Sequence, residues 1–275
     1  MDIKLLALDM DDTLLDENLE ISQKNIKALK EAEEKGVIIV LASGRAPFAM
    51  EKYAEELGMH RRKGYKICYN GASIIRTDTH EEVYGHRLPV DLAQEIYEIA
   101  DKLGYPVQTY KDDTIYVSFR NEYTDLDCEL TGMVQEVVEN YKEHLTIAPV
   151  KLLIPGDPKE LIKVESLLKD MFRGRTNIYR SKPFFLEVMP KGADKGNALR
   201  HLGEMMQIQR KHIMAIGDAM NDAGMIQYAG ISVAMANAVE GIKQMADIVT
   251  KKTNDEDGVA EVVYNVICRH SGELF

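Results

Sequence analysis

The apolar residues in the first third of the chain follow two spacings, one typical of buried strands and one typical of amphipathic helices. In VIIVLASGR, residues 37–45, apolar residues run without alternation, as a strand covered on both faces requires. In ISQKNIKALKEAEEKG, residues 21–36, apolar or small residues recur at helical spacing as far as Gly36, a helix stop signal. The predicted strands are 3–8, 37–45 and 65–75, the last with a turn at Asn70 and Gly71, and the predicted helices are 21–36 and 49–59.

The same alternation returns near the end of the chain. Helical KGNALRHLGEMM is followed by apolar HIMAIGD, a short helical segment NDAGMIQYAG and apolar ISVAMA. Strands that alternate with helices predict βαβ units. The fold class expected for the two ends of the chain is therefore α/β, with a Rossmann-like, doubly wound parallel sheet.

The middle of the chain is organised differently. Strand-like TIYVSF, KLLIP and FFLEVMP lie between the amphipathic helical segments 92–103 and 159–172, a pattern typical of an α+β layer. We therefore predict a core domain formed by residues 1–82 and 190–275, with an α+β domain inserted at residues 83–189.

Composition narrows the class of partner. The chain has 275 residues, 45% of them hydrophobic, which is enough for two domains with real cores. Its formal net charge of -11 argues against a general affinity for nucleic acid or anionic lipid, so any binding of phosphate must be local.

Cysteine usage and the lack of a long apolar run indicate the compartment. Cys68, Cys128 and Cys268 are far apart and in no CxxC spacing, so neither a disulfide framework nor a zinc site is indicated. No apolar run approaches the roughly 20 residues of a membrane span, and no secretion signal is recognisable. We expect a cytoplasmic protein without a membrane partner.

Three acidic residues follow the first predicted strand in the segment DMDDT, residues 9–13. If the strand ends at Asp9, the two-residue step allows Asp9 and Asp11 to reach one site. One carboxylate could attack phosphorus while the other acts as acid and then as base, with Thr13 orienting the second. A solvated acidic loop is the alternative. In the first interpretation, a bound divalent cation would offset the repulsion between the crowded carboxylates.

The second constellation is the end of VIIVLASGR. Ser43 follows the apolar run, and Gly44 lets backbone N–H groups approach an anion closely. Arg45 could contact a phosphate or other groups of the substrate. Taken alone, Ser43 as a helix cap and Gly44 as a turn residue explain this segment more commonly.

The third constellation is KGADKGNAL, in which Lys195 stands at the start of a helical pattern. Its ammonium could face a transferring phosphoryl group and relieve repulsion between carboxylates. Lys191 is the competing candidate. A lone lysine before a helix is usually a surface residue. Lys195 is therefore a candidate functional residue only in combination with the other motifs.

The fourth constellation is AIGDAMNDAGMI, an apolar strand followed by polar residues. Asp218 at the strand edge is placed to bind a hard cation, with Asn221 and Asp222 on the next turn. An acidic helix N-terminus is the alternative. All four segments lie where a strand or short loop meets a helix start, which favours one common site.

Taken in order, DMDDT, the Ser43 strand end, Lys195 and GDxxND resemble the four motifs of the haloacid dehalogenase (HAD) superfamily of phosphohydrolases. The inserted domain, the YNGA at residues 69–72 and the segment 217–238 resemble its Cof-type subgroup, subfamily IIB, whose members carry an α/β cap between the second and third motifs. The resemblance covers essentially the whole chain. It identifies residues 83–189 as the cap by placement more than by sequence.

The resemblance implies a role for each acidic residue of the motifs. Asp9 would be the nucleophile that forms an aspartyl-phosphate, and Asp11 would be the general acid and base. Mg²⁺ would be held by the Asp9 side chain, the Asp11 backbone carbonyl and Asp218. Asp12 stands where many relatives have Gly, and we assign it no chemistry.

The resemblance also implies a cradle for the phosphoryl group. Asp222 would hold Lys195 or metal-bound water. The groups expected to bind the phosphoryl oxygens or the substrate are the Met10 backbone N–H, Ser43, Gly44, Arg45, Lys195 and Asn221.

The sequence therefore predicts a Mg²⁺-dependent phosphatase of small phosphorylated metabolites, above all sugar phosphates, with a cap that closes to exclude water. Specificity is expected from cap side chains such as Tyr110, Tyr116, Arg120 and Tyr179, whose orientation the sequence does not give. The sequence indicates neither the individual substrate nor the oligomeric state.

Three other functions remain open. A phosphotransferase or phosphomutase would use the same aspartyl-phosphate with a hydroxyl in place of water, so product analysis separates it from a hydrolase. A phospho-accepting signalling module has no use for a carboxylate two positions after the acceptor or for an inserted domain. A metabolite-binding protein without catalysis would not need Asp9, Asp11, Lys195 and Asp218 together.

Overall fold

The structure is a computed structural model that describes residues 2–268. Its strands are β1 (Leu5–Asp9), β2 (Ile38–Ala42), β3 (Tyr65–Cys68), β4 (Ser73–Arg76), β5 (Glu82–Gly85), β6 (Gln108–Lys111), β7 (Thr114–Val117), β8 (Val134–Val137), β9 (Leu152–Pro155), β10 (Thr176–Lys182), β11 (Phe185–Pro190), β12 (Ile213–Gly217), β13 (Ile231–Ala234) and β14 (Ile248–Val249). Its helices are α1 (Gln23–Glu34), α2 (Pro47–Leu57), α3 (Val90–Lys102), α4 (Glu122–Thr131), α5 (Tyr141–His144), α6 (Pro158–Met171), α7 (Lys195–Met205), α8 (Ala223–Tyr228), α9 (Glu240–Met245) and α10 (Gly258–Val266).

The described residues form two compact units. The first contains residues 2–45, 50–84 and 194–268, and the second contains residues 46–49 and 85–193. The assignment of residues 83–189 to a specificity cap stays a prediction.

The first unit contains an eight-stranded sheet in the order β14-β13-β12-β1-β2-β3-β4-β5. The strands from β14 to β3 are parallel, and β4 runs antiparallel to β3. The chain builds the sheet outward from β1 through β2 and β3, and later from β12 through β13 and β14 on the other side. The strand order therefore reverses beside β1, and ligands of open α/β sheets bind at such a point. The predicted α/β class with a doubly wound parallel core is confirmed.

The local sequence explains why the elements of this sheet begin and end where they do. Every residue of β1 and β12 is buried, as their unbroken apolar runs require. Helix α1 starts after Ser22, whose side chain accepts a hydrogen bond from the Asn25 N–H at 3.1 Å. It is followed by Gly36 at φ +86°, a left-handed conformation that favours glycine.

The second unit contains a six-stranded sheet in the order β10-β11-β9-β6-β7-β8. Its paired strands are antiparallel, apart from β7 and β8, which are parallel. Apolar side chains of one sheet face pack with α3, α5 and α6, as an α+β layer requires. Members of this core include Leu92, Ile96, Leu152, Ile154, Leu161, Leu168, Leu186 and Val188.

None of the helices within residues 2–268 combines the length and the apolar character needed to cross a bilayer.

Candidate active site

Three parallel strands of the first unit deliver polar residues to one edge of the sheet. β1 ends in Asp9, β2 is followed by Ser43, and β12 is followed by Asp218. Their ends are level because Asp9 pairs with Ala42 in β2, and Leu8 pairs with Ile216 in β12. The apolar runs thus set the register, and the first polar residues beyond them meet at the carboxyl edge.

Beyond Asp9 the chain forms an irregular turn, Met10–Leu14, in which Met10 is buried, Asp11 is extended and Asp12 is exposed. Asp12 adopts φ +58°, a left-handed conformation that Asp tolerates. The buried Thr13 hydroxyl donates a hydrogen bond to Asp218 Oδ1 at 3.1 Å. The sequence predicted that Thr13 orients Asp11, whereas the turn directs its side chain toward the end of β12.

Lys195 is the first residue of α7, after Asp194, whose side chain caps the helix by accepting the Asn197 N–H at 2.9 Å. The Lys195 side chain is fully buried, and its Nζ donates to Asp9 Oδ1 and, at 2.6 Å, to Asp222 Oδ1. Of the two candidate lysines, Lys195 therefore contacts the predicted nucleophile, while Lys191 is exposed.

Asp222 links Lys195 to the loop after β12. Its Oδ2 accepts the backbone N–H groups of Asp218 and Ala219 at 3.0 and 3.1 Å. Gly217 makes this approach possible, because a Cβ there would lie 2.6 Å from Asp222 Oδ2. Asp222 is thus held by three hydrogen bonds, which is compatible with its predicted supporting role.

The cluster concentrates negative charge in a buried place. Burial raises the pKa of Asp9 well above its usual range; Lys195 opposes this rise, and Asp222 and Asp218 add to it. Burial, followed by the charge of Asp222, raises the pKa of Asp218 to about 6. Burial alone would lower the pKa of Lys195, but the charges of Asp9 and Asp222 outweigh it and raise that pKa.

These residues fit a hard divalent cation. One carboxylate oxygen each from Asp9, Asp218 and Asp222 lies within 4.8 Å of the others. Asp222 already accepts hydrogen bonds from Lys195 and two backbone amides, so the carboxylates of Asp9 and Asp218 have more oxygen lone pairs available for a cation. Carboxylate oxygens suit Mg²⁺, whose double charge would balance three carboxylates and one ammonium.

The Ser43–Gly44 segment packs against the turn between β3 and β4. The Ser43 N–H donates to the Ile67 carbonyl at 2.9 Å, and the Ser43 carbonyl accepts the Asn70 N–H at 2.9 Å. A Cβ at Gly44 would lie 3.0 Å from Asn70 Nδ2. These contacts fix the backbone at the predicted phosphate-binding segment.

Asn70 lies beside the candidate site, although the sequence indicated no role for it beyond a turn and the YNGA resemblance. It adopts φ +51° and is followed by Gly71 at φ +98°. Its Oδ1 accepts a hydrogen bond from Asn221 Nδ2 at 3.4 Å, which connects the turn between β3 and β4 with the fourth motif. The Asn-Gly pair predicted the turn, but no spacing in the sequence indicates its partner across the sheet.

Arg45 contacts Asp11 instead of standing free for a phosphate. Its Nε donates to Asp11 Oδ2 at 3.0 Å, and a terminal guanidinium nitrogen donates to Asp11 Oδ1. The guanidinium carbon lies 5.5 Å from the ring centre of the buried Tyr53. Burial alone would lower the pKa of Arg45, but the hydrogen bonds and charge of Asp11 raise it.

Comparisons with known proteins match nearly the whole chain. A family model described as haloacid dehalogenase-like hydrolase matches residues 6–263. A haloacid dehalogenase-like hydrolase from Bacteroides thetaiotaomicron is 38% identical with a TM-score of 0.89, over 96% of this chain and 99% of that structure. The HAD subclass IIB sugar phosphatase BT4131 is 26% identical with a TM-score of 0.78, over 95% and 98% of the two chains.

A curated relative has similar coverage. The Bacillus subtilis protein YcsE, named 5-amino-6-(5-phospho-D-ribitylamino)uracil phosphatase, is 32% identical over 263 residues, covering 96% of this chain and 95% of that protein. The similarity therefore extends over both units.

Proposed function

The chain belongs to the haloacid dehalogenase-like hydrolases, and we propose that it is a Mg²⁺-dependent phosphatase of small phosphorylated metabolites, above all sugar phosphates. The observation that carries this proposal is the buried Asp9–Lys195–Asp222 cluster beside Asp218 at the carboxyl edge of the sheet. Phosphoryl transfer needs an anionic nucleophile, a cation for the transferred oxygens and a proton donor for the leaving group. The cluster and Asp11 supply these three parts.

In the first half-reaction, a carboxylate oxygen of Asp9 attacks phosphorus. The bond between phosphorus and the ester oxygen breaks, and the ester oxygen leaves with a proton from the Asp11 carboxyl group. Lys195 holds Asp9 in place and offsets charge on the phosphoryl oxygens. The product of this half-reaction is an aspartyl-phosphate on Asp9.

In the second half-reaction, water attacks the phosphorus of the aspartyl-phosphate. Its proton passes to the Asp11 carboxylate, and the bond between phosphorus and Asp9 oxygen breaks. Inorganic phosphate leaves, and Asp11 is again protonated for the next cycle. A phosphotransferase would replace this water by an acceptor hydroxyl.

The proposed metal ligands are the side chains of Asp9 and Asp218 with the backbone carbonyl of Asp11. Bound there, Mg²⁺ would supply Lewis-acid stabilisation of charge on the phosphoryl oxygens. The Met10 backbone N–H, Ser43, Gly44 and Asn221 are proposed to hold the same oxygens. Asp222 is proposed to keep Lys195 in position, because its carboxylate also accepts two backbone N–H groups.

The substrate class rests on the relatives. BT4131 is described as a sugar phosphatase, and YcsE is named for a substrate with a phosphorylated ribityl chain. Both names indicate a small, phosphorylated molecule. A cytoplasmic location belongs to the same proposal, since within residues 2–268 no disulfide joins Cys68, Cys128 or Cys268.

The test is phosphate release from sugar phosphates, nucleotides, phosphorylated cofactors and p-nitrophenyl phosphate, with Mg²⁺ and with EDTA. We expect release by wild type only with Mg²⁺, and none by Asp9→Asn. Asp12→Asn is the matched control, because Asp12 is exposed and Asn also tolerates its positive φ. Activity of Asp9→Asn within tenfold of wild type would refute the proposed nucleophile, and phosphate found only on an added acceptor would indicate a transferase.

A further inference from the structure

The Arg45 guanidinium contacts Asp11 through two separate nitrogens, one to each carboxylate oxygen. Such a fork fixes both the position and the plane of a carboxylate, which a single contact does not. A carboxylate has about four lone-pair sites, so the fork leaves each oxygen able to exchange a proton with a third group. The contact is therefore compatible with acid and base chemistry at Asp11.

The Arg45 side chain is itself held by a buried neighbour. Its guanidinium carbon lies 5.5 Å from the Tyr53 ring centre, within the range of a cation–π contact. Tyr53 is 1% exposed, and its hydroxyl donates to the Leu19 carbonyl at 3.1 Å. The fork therefore rests on a fixed ring and is more than a pair of mobile surface side chains.

The Arg45 backbone is fixed as well. Its N–H donates to Ser43 Oγ at 3.2 Å, and its carbonyl accepts the Tyr69 N–H at 3.0 Å. The side chain of Asp11, by contrast, is 47% exposed, on a turn with extended and left-handed residues. A half-exposed carboxylate on such a turn needs an external anchor to keep one orientation.

We propose that Arg45 is the positioning residue of Asp11, which holds that carboxylate in the orientation for proton exchange with the leaving group and with water. The inference rests on the proposed phosphatase function, and it replaces the expected role of Arg45 in binding the phosphoryl group. Displacement of an acid or base by about 1 Å costs on the order of 100-fold in rate, so anchoring Asp11 has a measurable effect.

The test is a double-mutant cycle with Arg45→Lys and Asp11→Asn, using a sugar phosphate that wild type hydrolyses with Mg²⁺. Lysine keeps the charge of Arg45 but lacks the fork. We expect Arg45→Lys to lower kcat on the order of 10- to 100-fold with KM within about threefold of wild type. In the Asp11→Asn background the same change should alter kcat by less than about threefold, because its target is already absent.

A burst experiment with p-nitrophenyl phosphate separates the two half-reactions. The p-nitrophenolate leaving group needs little protonation, whereas attack by water still needs the Asp11 base. Arg45→Lys should therefore keep the burst rate within about threefold of wild type and slow the steady-state rate on the order of 10-fold or more. A purely structural role of Arg45 would not divide the two phases in this way.

Arg76→Lys is the matched control. Arg76 forms the same fork with Asp78, at 3.1 and 2.8 Å, and neither residue belongs to the proposed site. We expect wild-type kcat for this variant.

Three results would overturn the inference. Rate losses that multiply in the double mutant, together with a raised KM, would assign Arg45 to substrate binding. Unchanged kcat in Arg45→Lys would show that the Arg45–Asp11 contact is an ordinary surface ion pair without a role in catalysis. Such a pair contributes about 0–1 kcal/mol to stability. If wild type is active, either of these two results leaves the phosphatase proposal intact and refutes only the positioning role of Arg45. If wild type shows no metal-dependent phosphate release, the phosphatase proposal and the positioning role are both refuted.

Discussion

At Lys195, one ammonium faces two buried carboxylates. Its Nζ contacts Asp9 and Asp222, and all three side chains are buried. Removing one partner from a buried ion pair costs more than the pair contributes, because the remaining charge stays buried without compensation. Lys195 is therefore expected to matter for folding as well as for phosphoryl transfer.

We expect Lys195→Met to lower turnover on the order of 100- to 1,000-fold and to destabilise the metal-free protein by about 3–5 kcal/mol. The loss of stability should grow with pH. The pKa of Asp9 is already raised in the folded state, and loss of the ammonium raises it further, so the folded state binds protons more tightly than the unfolded state. Stability of this kind is lost as pH rises. Urea denaturation in EDTA at pH 5.5 and pH 7.5 measures the effect.

Lys191→Met is the control for Lys195→Met. The exposed Lys191 undergoes the same chemical change without uncovering a buried carboxylate, so its unfolding free energy should stay within about 0.5 kcal/mol of wild type. An equal loss at both pH values for Lys195→Met would contradict the electrostatic explanation.

At this scale, motif residues were easier to predict from the sequence than their contacts. Asp9 and Lys195 stand next to recognisable strand and helix starts, and the structure brings them together. The partners of Arg45 and Thr13 were not predictable, because both depend on the course of the Met10–Leu14 turn. Such a turn, with a left-handed residue at Asp12, has no periodicity that a sequence pattern would show.

At the scale of elements, α7 is placed by glycine contacts at its first turn. A Cβ at Gly196 would lie 2.3 Å from the carbonyl carbon of Gly224 at the start of α8. A Cβ at Gly71 would lie 2.2 Å from the Asp194 carbonyl oxygen. Backbone therefore packs closely against backbone at both chain neighbours of Lys195, at Asp194 and at Gly196.

We expect Gly196→Ala to lower turnover on the order of 100-fold, because it moves the helix start that carries Lys195. Alanine favours a helix over glycine by up to about 1 kcal/mol, but a contact at 2.3 Å with backbone forces a shift that costs about 1–3 kcal/mol. The steric effect should win, with a lower unfolding free energy. Turnover and urea denaturation of the same preparation measure both effects.

Gly36→Ala is the control for this substitution. Gly36 has φ +86° and nothing within 4 Å of its ideal Cβ, so alanine there costs roughly 1–2 kcal/mol through backbone strain alone. Its stability should fall by a comparable amount while turnover stays at wild type. If both variants lost activity equally, general destabilisation would explain the result and the placement of α7 would not.

The strongly periodic elements were predictable, and the short polar ones were not. The sequence predicted β1 and β2 from unbroken apolar runs and α1 from apolar residues at helical spacing. In the structure most of these apolar residues are buried. It did not predict β8, whose VQEV is mostly exposed at the end of its sheet, or α5, which has four residues. In such elements pairing with neighbours determines the structure, and that information is absent from local periodicity.

At the scale of the whole molecule, the candidate site is assembled from distant parts of one unit. Residues 9–13, 43–45, 195 and 218–222 all belong to the first unit, although the second unit lies between them in sequence. The parallel sheet brings them together, because its strands end at a common edge. Metal binding should consequently report on the folding of this entire unit.

Mg²⁺ should raise the thermal midpoint of the protein, and the increase should depend on pH. Burial and the charge of Asp222 raise the pKa of Asp218 from 3.8 to about 6, so the metal-free folded state loses stability as pH rises through that window. Protons compete with Mg²⁺ at this carboxylate, and the shift should be larger at pH 7 than at pH 5. At 100 times Kd a ligand stabilises by about 2.7 kcal/mol, or roughly 5–10 °C for a chain of this size.

Asp218→Asn should abolish this thermal shift, because the variant removes a carboxylate ligand and the negative charge that attracts the cation. Asp12→Asn, which changes an exposed carboxylate on the neighbouring turn, should keep it. Scanning calorimetry of the three proteins with Mg²⁺ and with EDTA at pH 5 and pH 7 measures the effect. A shift of equal size at both pH values, or one retained by Asp218→Asn, would place the stabilising Mg²⁺ elsewhere. If Asp218→Asn loses the thermal shift and Asp12→Asn keeps it, the stabilising Mg²⁺ binds at the carboxyl edge of the sheet, where Asp9 lies.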